Sequence, residues 1–316
     1  MDLRPVLRVQ IITLQDNYID LVSGDNSPVV LRAAPVRGTE FSNSILAEHG
    51  FSALVRVSDK EEEHSVLMDF GLSEDTAARN AEALSLDLSK VEAAVLSHGH
   101  MDHFGGMNAL AKKIGKKNLD LLVHPGAFKK SRHVEPFAGL KITLPVVTRE
   151  KIKKAGFHLV EEEGPTLLAD GRVLCLGEIP RKTEFEQGMP NAFCAGEDGC
   201  MQKDVLEDDT ALCMNLSGKG LVVLSGCAHS GIINTVRYAQ DVTGIAKVHA
   251  VMGGFHLSGP HFTKLIEPTV AALAEIGPDW VIPTHCTGRN AVLAFEKAFG
   301  PRFILNMAGT TLTFAA

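Results

Sequence analysis

No stretch of this 316-residue chain approaches the roughly 18 uninterrupted apolar residues of a membrane-spanning helix, so nothing in it reads as crossing a bilayer. Positive charge is also in short supply. Thirty-one Lys and Arg face 38 Asp and Glu, for a formal charge of −7. That balance argues against duplex nucleic acid or an anionic membrane as partner, because both require a basic face. The opening segment, MDLRPVLRVQIITL, lacks the apolar stretch and small-residue cleavage site of a signal peptide, which makes the cytoplasm the expected location. Six cysteines are few for this length, and reduced thiols are the expectation. Internal repeats and low-complexity tracts are absent.

What is present is the raw material of a large core. Hydrophobic residues make up 45% and charged residues 22%. A chain of this size buries roughly three quarters of its unfolded surface and needs no disulfide to fold. Apolar patterning predicts strands at Arg8–Leu14, Ser52–Val57, Ser65–Asp69, Val91–Leu96, Leu119–His124, Gly156–Leu159 and Leu174–Gly177. Helices are predicted over 75–86 and from Met107, where Leu110, Ala111 and Ile114 follow at helical spacing. Three strand–turn–helix units then run from Gly220–Leu224, His249–Met252 and Trp280–Pro283. Residues 183–204 have no period, and the 179–209 segment reads as a lid or substrate loop on a single domain spanning 1–316.

The chemistry concentrates in His98-Gly99-His100-Met101-Asp102-His103, immediately after a buried strand. On extended backbone, residues i and i+2 point the same way, so His98 and His100 can grip one ion together. The following turn re-aims Asp102 and His103 toward a second. Neutral imidazole suits zinc, iron, nickel or manganese, and the carboxylate adds a hard anionic ligand. Gly105-Gly106 lets the chain turn tightly afterwards.

This motif resembles the HxHxDH signature of the metallo-β-lactamase fold. Glu48-His49-Gly50-Phe51-Ser52, Asp69-Phe70-Gly71, Gly177-Glu178-Ile179-Pro180-Arg181, Gly226-Cys227-Ala228-His229-Ser230-Gly231, Gly254-Phe255-His256-Leu257 and His285-Cys286-Thr287-Gly288 resemble one branch, which includes dihydropterin–ribofuranosylaminobenzene 5′-phosphate synthase. The resemblance implies a four-layer αββα sandwich, two mixed β-sheets face to face with helices outside, and one or two divalent ions per chain, zinc first, manganese or iron as alternatives. It implies that His229 completes the His98/His100 set and His285 the Asp102/His103 set. His256 is expected beside a ligand or against substrate, with the alternative that it replaces His285. Many relatives place a bridging Asp where Cys227 stands and a His-bearing loop where Asp209 stands. Cys227 is therefore open between soft ligand, weak bridge and packing.

Asp69, ending its strand, is expected to hold a ligand imidazole through the second ring nitrogen, or else simply to form a turn before Gly71. His49 is expected at the same sheet edge. Arg181 and Lys182 enter the long loop and could receive a phosphate or carboxylate of a small-molecule substrate. The leading expectation is a metal-dependent hydrolase in which bound water is the nucleophile and Asp102 accepts a proton. The alternative is a transferase of the synthase type, with metal-assisted departure of pyrophosphate. Di-iron redox chemistry is disfavoured, because flavodiiron relatives carry Glu where His100 stands and attach a flavin domain. A homodimer is the default assembly.

Overall fold

Alternation along the strands sets the architecture. The computed structural model describes residues 1–34, 36–37, 39–41, 44–60, 62–196 and 198–316, with Arg37 described by its backbone alone. In Arg8–Gln15, Val9 and Ile11 point to one side while Ile12 and Leu14 point to the other. The same split separates Val55 and Val57 from Leu54, and Val66 and Met68 from Leu67. A strand that is apolar on both faces must be covered on both.

Two large sheets meet that demand. The first has eight strands in the order Phe157–Glu161, Leu119–Val123, Ala93–Leu96, Glu63–Met68, Ser52–Ser58, Arg8–Gln15, Thr311–Ala315 and Val30–Leu31. Its first four are mutually parallel and the remainder antiparallel. The second has seven strands. Thr166–Leu168, Val173–Cys175, Ala211–Leu216, Gly220–Ser225, Val248–Gly254 and Trp280–Thr284 run in order, with Pro5–Val6 on Ala211–Leu216. Its last three strands are parallel.

Three apolar cores result. Val9, Val55, Met68, Met214, Leu224 and Met252 fill the space between the sheets. Helices α1 (Thr76–Ala83), α2 (Met107–Ile114) and α3 (Arg149–Ala155) cover the first sheet through Ala77, Ala81, Leu110, Ile114 and Ile152. Helices α4 (Ile232–Thr243), α5 (Ile266–Ile276) and α6 (Arg289–Phe299) cover the second through Ile233, Val236, Leu273 and Phe295. Layer by layer this is the αββα sandwich. Among the described residues no helix is long and apolar enough to cross a membrane.

Each parallel strand must return through a crossover, so its C-terminal end opens into a loop on one edge of the sandwich. Asp69, Ser97, Gly226, Phe255 and His285 each follow such an end.

The 183–204 stretch differs from its reading as a loop without period. Ala192–Ala195 and Met201–Lys203 are strands of a separate four-stranded sheet with His133–Phe137 and Leu140–Thr143. Strands of three and four residues carry almost no alternation, and their partner comes from far earlier in the chain. Upstream of them, Glu186 reaches the first turn of α4, where its carboxylate accepts from Ile233 N at 3.0 Å and Asn234 N at 2.9 Å. Those amides have no partner within the helix.

Gly105 shows how tightly the first metal-motif turn is packed. A Cβ there would lie 1.6 Å from the carbonyl oxygen of Leu72, a backbone atom that cannot swing away. Gly105→Ala is expected to cost about 2–3 kcal/mol, measured as a lower urea midpoint at unchanged slope. An unmoved midpoint would contradict this packing.

Candidate metal centre

The turn after Ala93–Leu96 delivers His98 and His100, the latter on extended backbone, and the tight turn from Gly226 to Gly231 delivers His229 beside them. His229 Nε2 lies 3.1 Å from His98 Nε2 and 3.2 Å from His100 Nδ1. A single shared proton can satisfy only one of these contacts. All three side chains are buried, and burial outweighs every other influence, so their rings are held neutral. His98 and His229 lie well below the ordinary histidine value, with neighbouring histidines adding to the effect. Burial, helped by Arg132, lowers His100 to about 4. Three neutral ring nitrogens converging on one point form a seat for a cation.

A second set adjoins it. Asp102, His103, Cys227 and His285 bring their donor atoms within 4.8 Å of one another. His103 Nε2 lies 3.1 Å from Cys227 Sγ, and His285 Nε2 lies 3.2 Å from Asp102 Oδ2. Burial pushes the Asp102 carboxyl up, but His103, His285 and His49 together hold it well below the usual carboxylate range. Burial likewise opposes a charged His103, yet Asp69 and Asp102 raise it to about 9. Burial pushes the Cys227 thiol up. Without a metal, positive charge in this set is thus supplied by protons, which a divalent ion would displace.

Behind the donors stand residues that aim them. Asp69 Oδ2 pairs with His103 Nδ1 at 2.7 Å, as its place before the motif suggested. Its other oxygen accepts from Ser97 N at 2.7 Å, and Ser97 Oγ lies 3.0 Å from His98 Nδ1. Sequence reasoning missed Ser97, although its place directly before His98 was the available signal. It also missed Asp208, which accepts from the Gly99 amide at 2.7 Å and is clamped by the buried Arg132 guanidinium at 2.6 and 3.0 Å. Asp16 went unread too, and it accepts from the His285 amide at 2.9 Å. Asp209 does not join either donor set. It accepts from Ser230 N at 2.8 Å and so braces the His229 turn, while burial raises its carboxyl to about 6.

The remaining expected residues divide. His49 reaches the edge, its Nε2 3.2 Å from Asp102 Oδ2 and its ring 4.8 Å from that of His285. Its hydrogen bond to the Asp102 carboxylate raises its pKa, and its side chain is 57% exposed, which leaves it facing solvent above the donors. His256 packs its ring 4.4 Å from His229. Arg181, by contrast, donates to the carbonyls of Val205 and Leu206, and Lys182 pairs with Asp241 on α4 at 2.9 Å. Neither is brought to the donor sets.

A groove opens beside His229 and His256. It is narrow, about 20 Å³, and Gln187, Gly188, Met189, Phe255, Leu257 and Phe262 are among the residues that line it.

The comparisons with known proteins agree with this geometry. The model of the metallo-β-lactamase superfamily matches residues 47–153. Over 316 residues, 99% of each chain, the protein is 31% identical to 7,8-dihydropterin-6-methyl-4-(β-D-ribofuranosyl)-aminobenzene-5′-phosphate synthase of Methanocaldococcus jannaschii. The chain belongs to the metallo-β-lactamase superfamily. An uncharacterised protein of the same organism is 30% identical over 251 residues, 79% of this chain and 88% of that one. A crystal structure described as a metal-dependent hydrolase of the β-lactamase superfamily superposes with TM-score 0.72 at 25% identity, covering 98% of this chain and 100% of that one. Membership of this superfamily implies divalent-metal binding, and the two donor sets fit it.

Two predictions follow from the site. Asp69→Asn leaves His103 without its carboxylate and should weaken metal binding 10–100-fold, read by competition with a chromogenic chelator. Unaltered affinity would reduce Asp69 to a turn residue. The second concerns pH. Because His98, His100 and His229 are neutral in the fold, an unfolded chain takes up their protons first, from its ordinary value of about 6.5 downward. The stability of the metal-free protein should therefore fall as pH drops from about 6.5 to about 4, where His100 also protonates in the fold. His103 acts oppositely, its contribution being present below 6.5 and lost as pH rises through about 9. His100→Gln should flatten the acid limb of urea midpoint against pH, and an unchanged slope would contradict the assignment.

Proposed function

We propose that this protein is a group-transfer enzyme of the synthase type, joining a flat heteroaromatic methyl group to a phosphorylated aminobenzene with departure of diphosphate. The observation that carries the reading is the 31% identity over 99% of both chains to a synthase whose name gives such a product. It displaces the water-attack hydrolase as the first reading.

When bound, divalent ions would neutralise the diphosphate and make it a better leaving group. His98, His100 and His229 would hold one, and Asp102, His103, Cys227 and His285 the other. The chain's own residues do the rest. Asp102 stays anionic and holds His285 and His49 in register through its Oδ2. His49, with its Nε2 at the solvent side of Asp102, is placed to give a proton to a departing oxygen. Arg181 and Lys182 are engaged with the Leu206 carbonyl and Asp241, so charge on the leaving group would be met by bound cations rather than by these two side chains.

A hydrolase remains the second reading, favoured by the structural likeness at TM-score 0.72 to a protein described as a metal-dependent hydrolase. One assay separates the two. Purified enzyme with zinc or manganese is given a pterin-methyl diphosphate with and without an aminobenzene acceptor, and diphosphate is measured. Acceptor-dependent release with a coupled product supports transfer, whereas equal release without acceptor supports hydrolysis. Asp102→Ala removes the anionic donor that holds His49 and His285 and is expected to lower turnover about a hundredfold or more, while circular dichroism stays native. An active variant would remove Asp102 from the mechanism.

A further inference from the structure

An uncharged side chain grips His285 of the second donor set. The strand Arg8–Gln15 is followed directly by Asp16 and Asn17. Asp16 Oδ1 accepts from the His285 amide at 2.9 Å and from the Asn17 amide at 2.7 Å. Asn17 Nδ2 donates to the His285 carbonyl at 2.9 Å. Both backbone groups of His285 are thus engaged, at a left-handed φ of 45° that is uncommon outside glycine.

The carbonyl decides which way the Asn17 amide faces. A carbonyl oxygen only accepts, so the amide nitrogen must be the atom turned toward it. The amide oxygen then faces His285 Nδ1 at 3.2 Å. That oxygen also only accepts, so His285 Nδ1 is the donor and carries a hydrogen. The second hydrogen of Asn17 Nδ2 faces His49 Nδ1 at 3.3 Å, which accepts it. Neutral His49 therefore carries its own hydrogen on Nε2, 3.2 Å from Asp102 Oδ2.

Asp102 pulls His285 the other way. Its Oδ2 lies 3.2 Å from His285 Nε2, and a carboxylate acting alone there would draw the ring hydrogen onto that nitrogen, the one that must offer a lone pair to a cation. Asp69 settles the same question for His103 through a carboxylate on Nδ1. For His285 the partner on Nδ1 is a neutral amide.

We propose that Asn17 is a positioning residue for the second cation, fixing the hydrogen of His285 on Nδ1 and so keeping the Nε2 lone pair open to the ion. This requires the second donor set to be a cation seat but not that the enzyme transfers rather than hydrolyses.

The test is a zinc titration of metal-free full-length protein in competition with a chromogenic chelator, for wild type, Asn17→Ala and Asn17→Asp. Asn17 is exposed, so neither change opens a cavity. Asn17→Ala removes both the acceptor at His285 Nδ1 and the donor to its carbonyl. Asn17→Asp loses the donor and keeps the acceptor, now charged. Asn17→Ala should bind the second zinc about 10–100-fold more weakly. Asn17→Asp should bind it at least as tightly as wild type, and both variants should hold the first zinc unchanged. Equal loss in the two variants would mean that Asn17 serves only the backbone, and wild-type affinity in Asn17→Ala would mean that it does not hold the ring. Either result overturns the proposal and leaves the proposed reaction untouched. Proton NMR of cobalt-loaded protein reads the ring itself, because cobalt moves the N–H protons of its ligand histidines outside the ordinary range. One exchangeable resonance present in wild type and Asn17→Asp should be missing from Asn17→Ala. An identical set of exchangeable resonances in all three proteins would contradict the placement of the His285 hydrogen.

Discussion

Everything at this edge of the sandwich depends on three neutral imidazoles that meet nitrogen to nitrogen with too few protons to satisfy every contact. His229 Nε2 lies within 3.2 Å of both His98 Nε2 and His100 Nδ1, and all three are buried where their charged forms are disfavoured. Lone pairs that face one another leave unmet negative potential at the centre of such an arrangement. It persists because the surrounding elements over-determine it. Ser97 and Asp69 fix one side, Arg132 and Asp208 hold the Gly99 peptide, and Asp209 braces the turn carrying His229.

Those braces explain why the chain tolerates so many buried polar groups. Arg132 is almost fully buried, but its guanidinium meets Asp204 and Asp208, and Arg132 in turn drives the Asp208 carboxyl down to about 2 against the pull of burial. Removing either partner would strand a buried charge, which is costly. The network serves position: Asp208 spends one oxygen on the Gly99 amide, between His98 and His100. Glu186 plays a comparable part for the groove, tying the segment that carries Gln187–Met189 to the first turn of α4.

Much of this was legible in the sequence, for physical reasons. Strands buried on both faces are long apolar runs, and the amphipathic helices α2, α4 and α6 carry clear spacing, so these elements could be read, while their layering as a sandwich was implied by the motifs' resemblance to the metallo-β-lactamase fold. The donors on the first motif were legible because four of them lie within six residues. What escaped was non-local. The four-stranded sheet joins segments whose partners are far apart in the chain, and α3, with a single buried residue, Ile152, shows little amphipathic signal. Asp16 and Asp208 act through backbone amides of distant loops, which no spacing encodes. Arg181 and Lys182 were credited with a ligand because charge is visible in sequence, whereas the carbonyls and the Asp241 that engage them are not.

The account stands or falls on whether the imidazole trio is a cation seat. Anomalous scattering at the zinc edge from crystals grown with zinc tests this directly. The account predicts a peak bounded by His98 Nε2, His100 Nδ1 and His229 Nε2, with a second among Asp102, His103, Cys227 and His285. Zinc bound elsewhere, with the trio empty and its nitrogens bridged by protons or water, would contradict it.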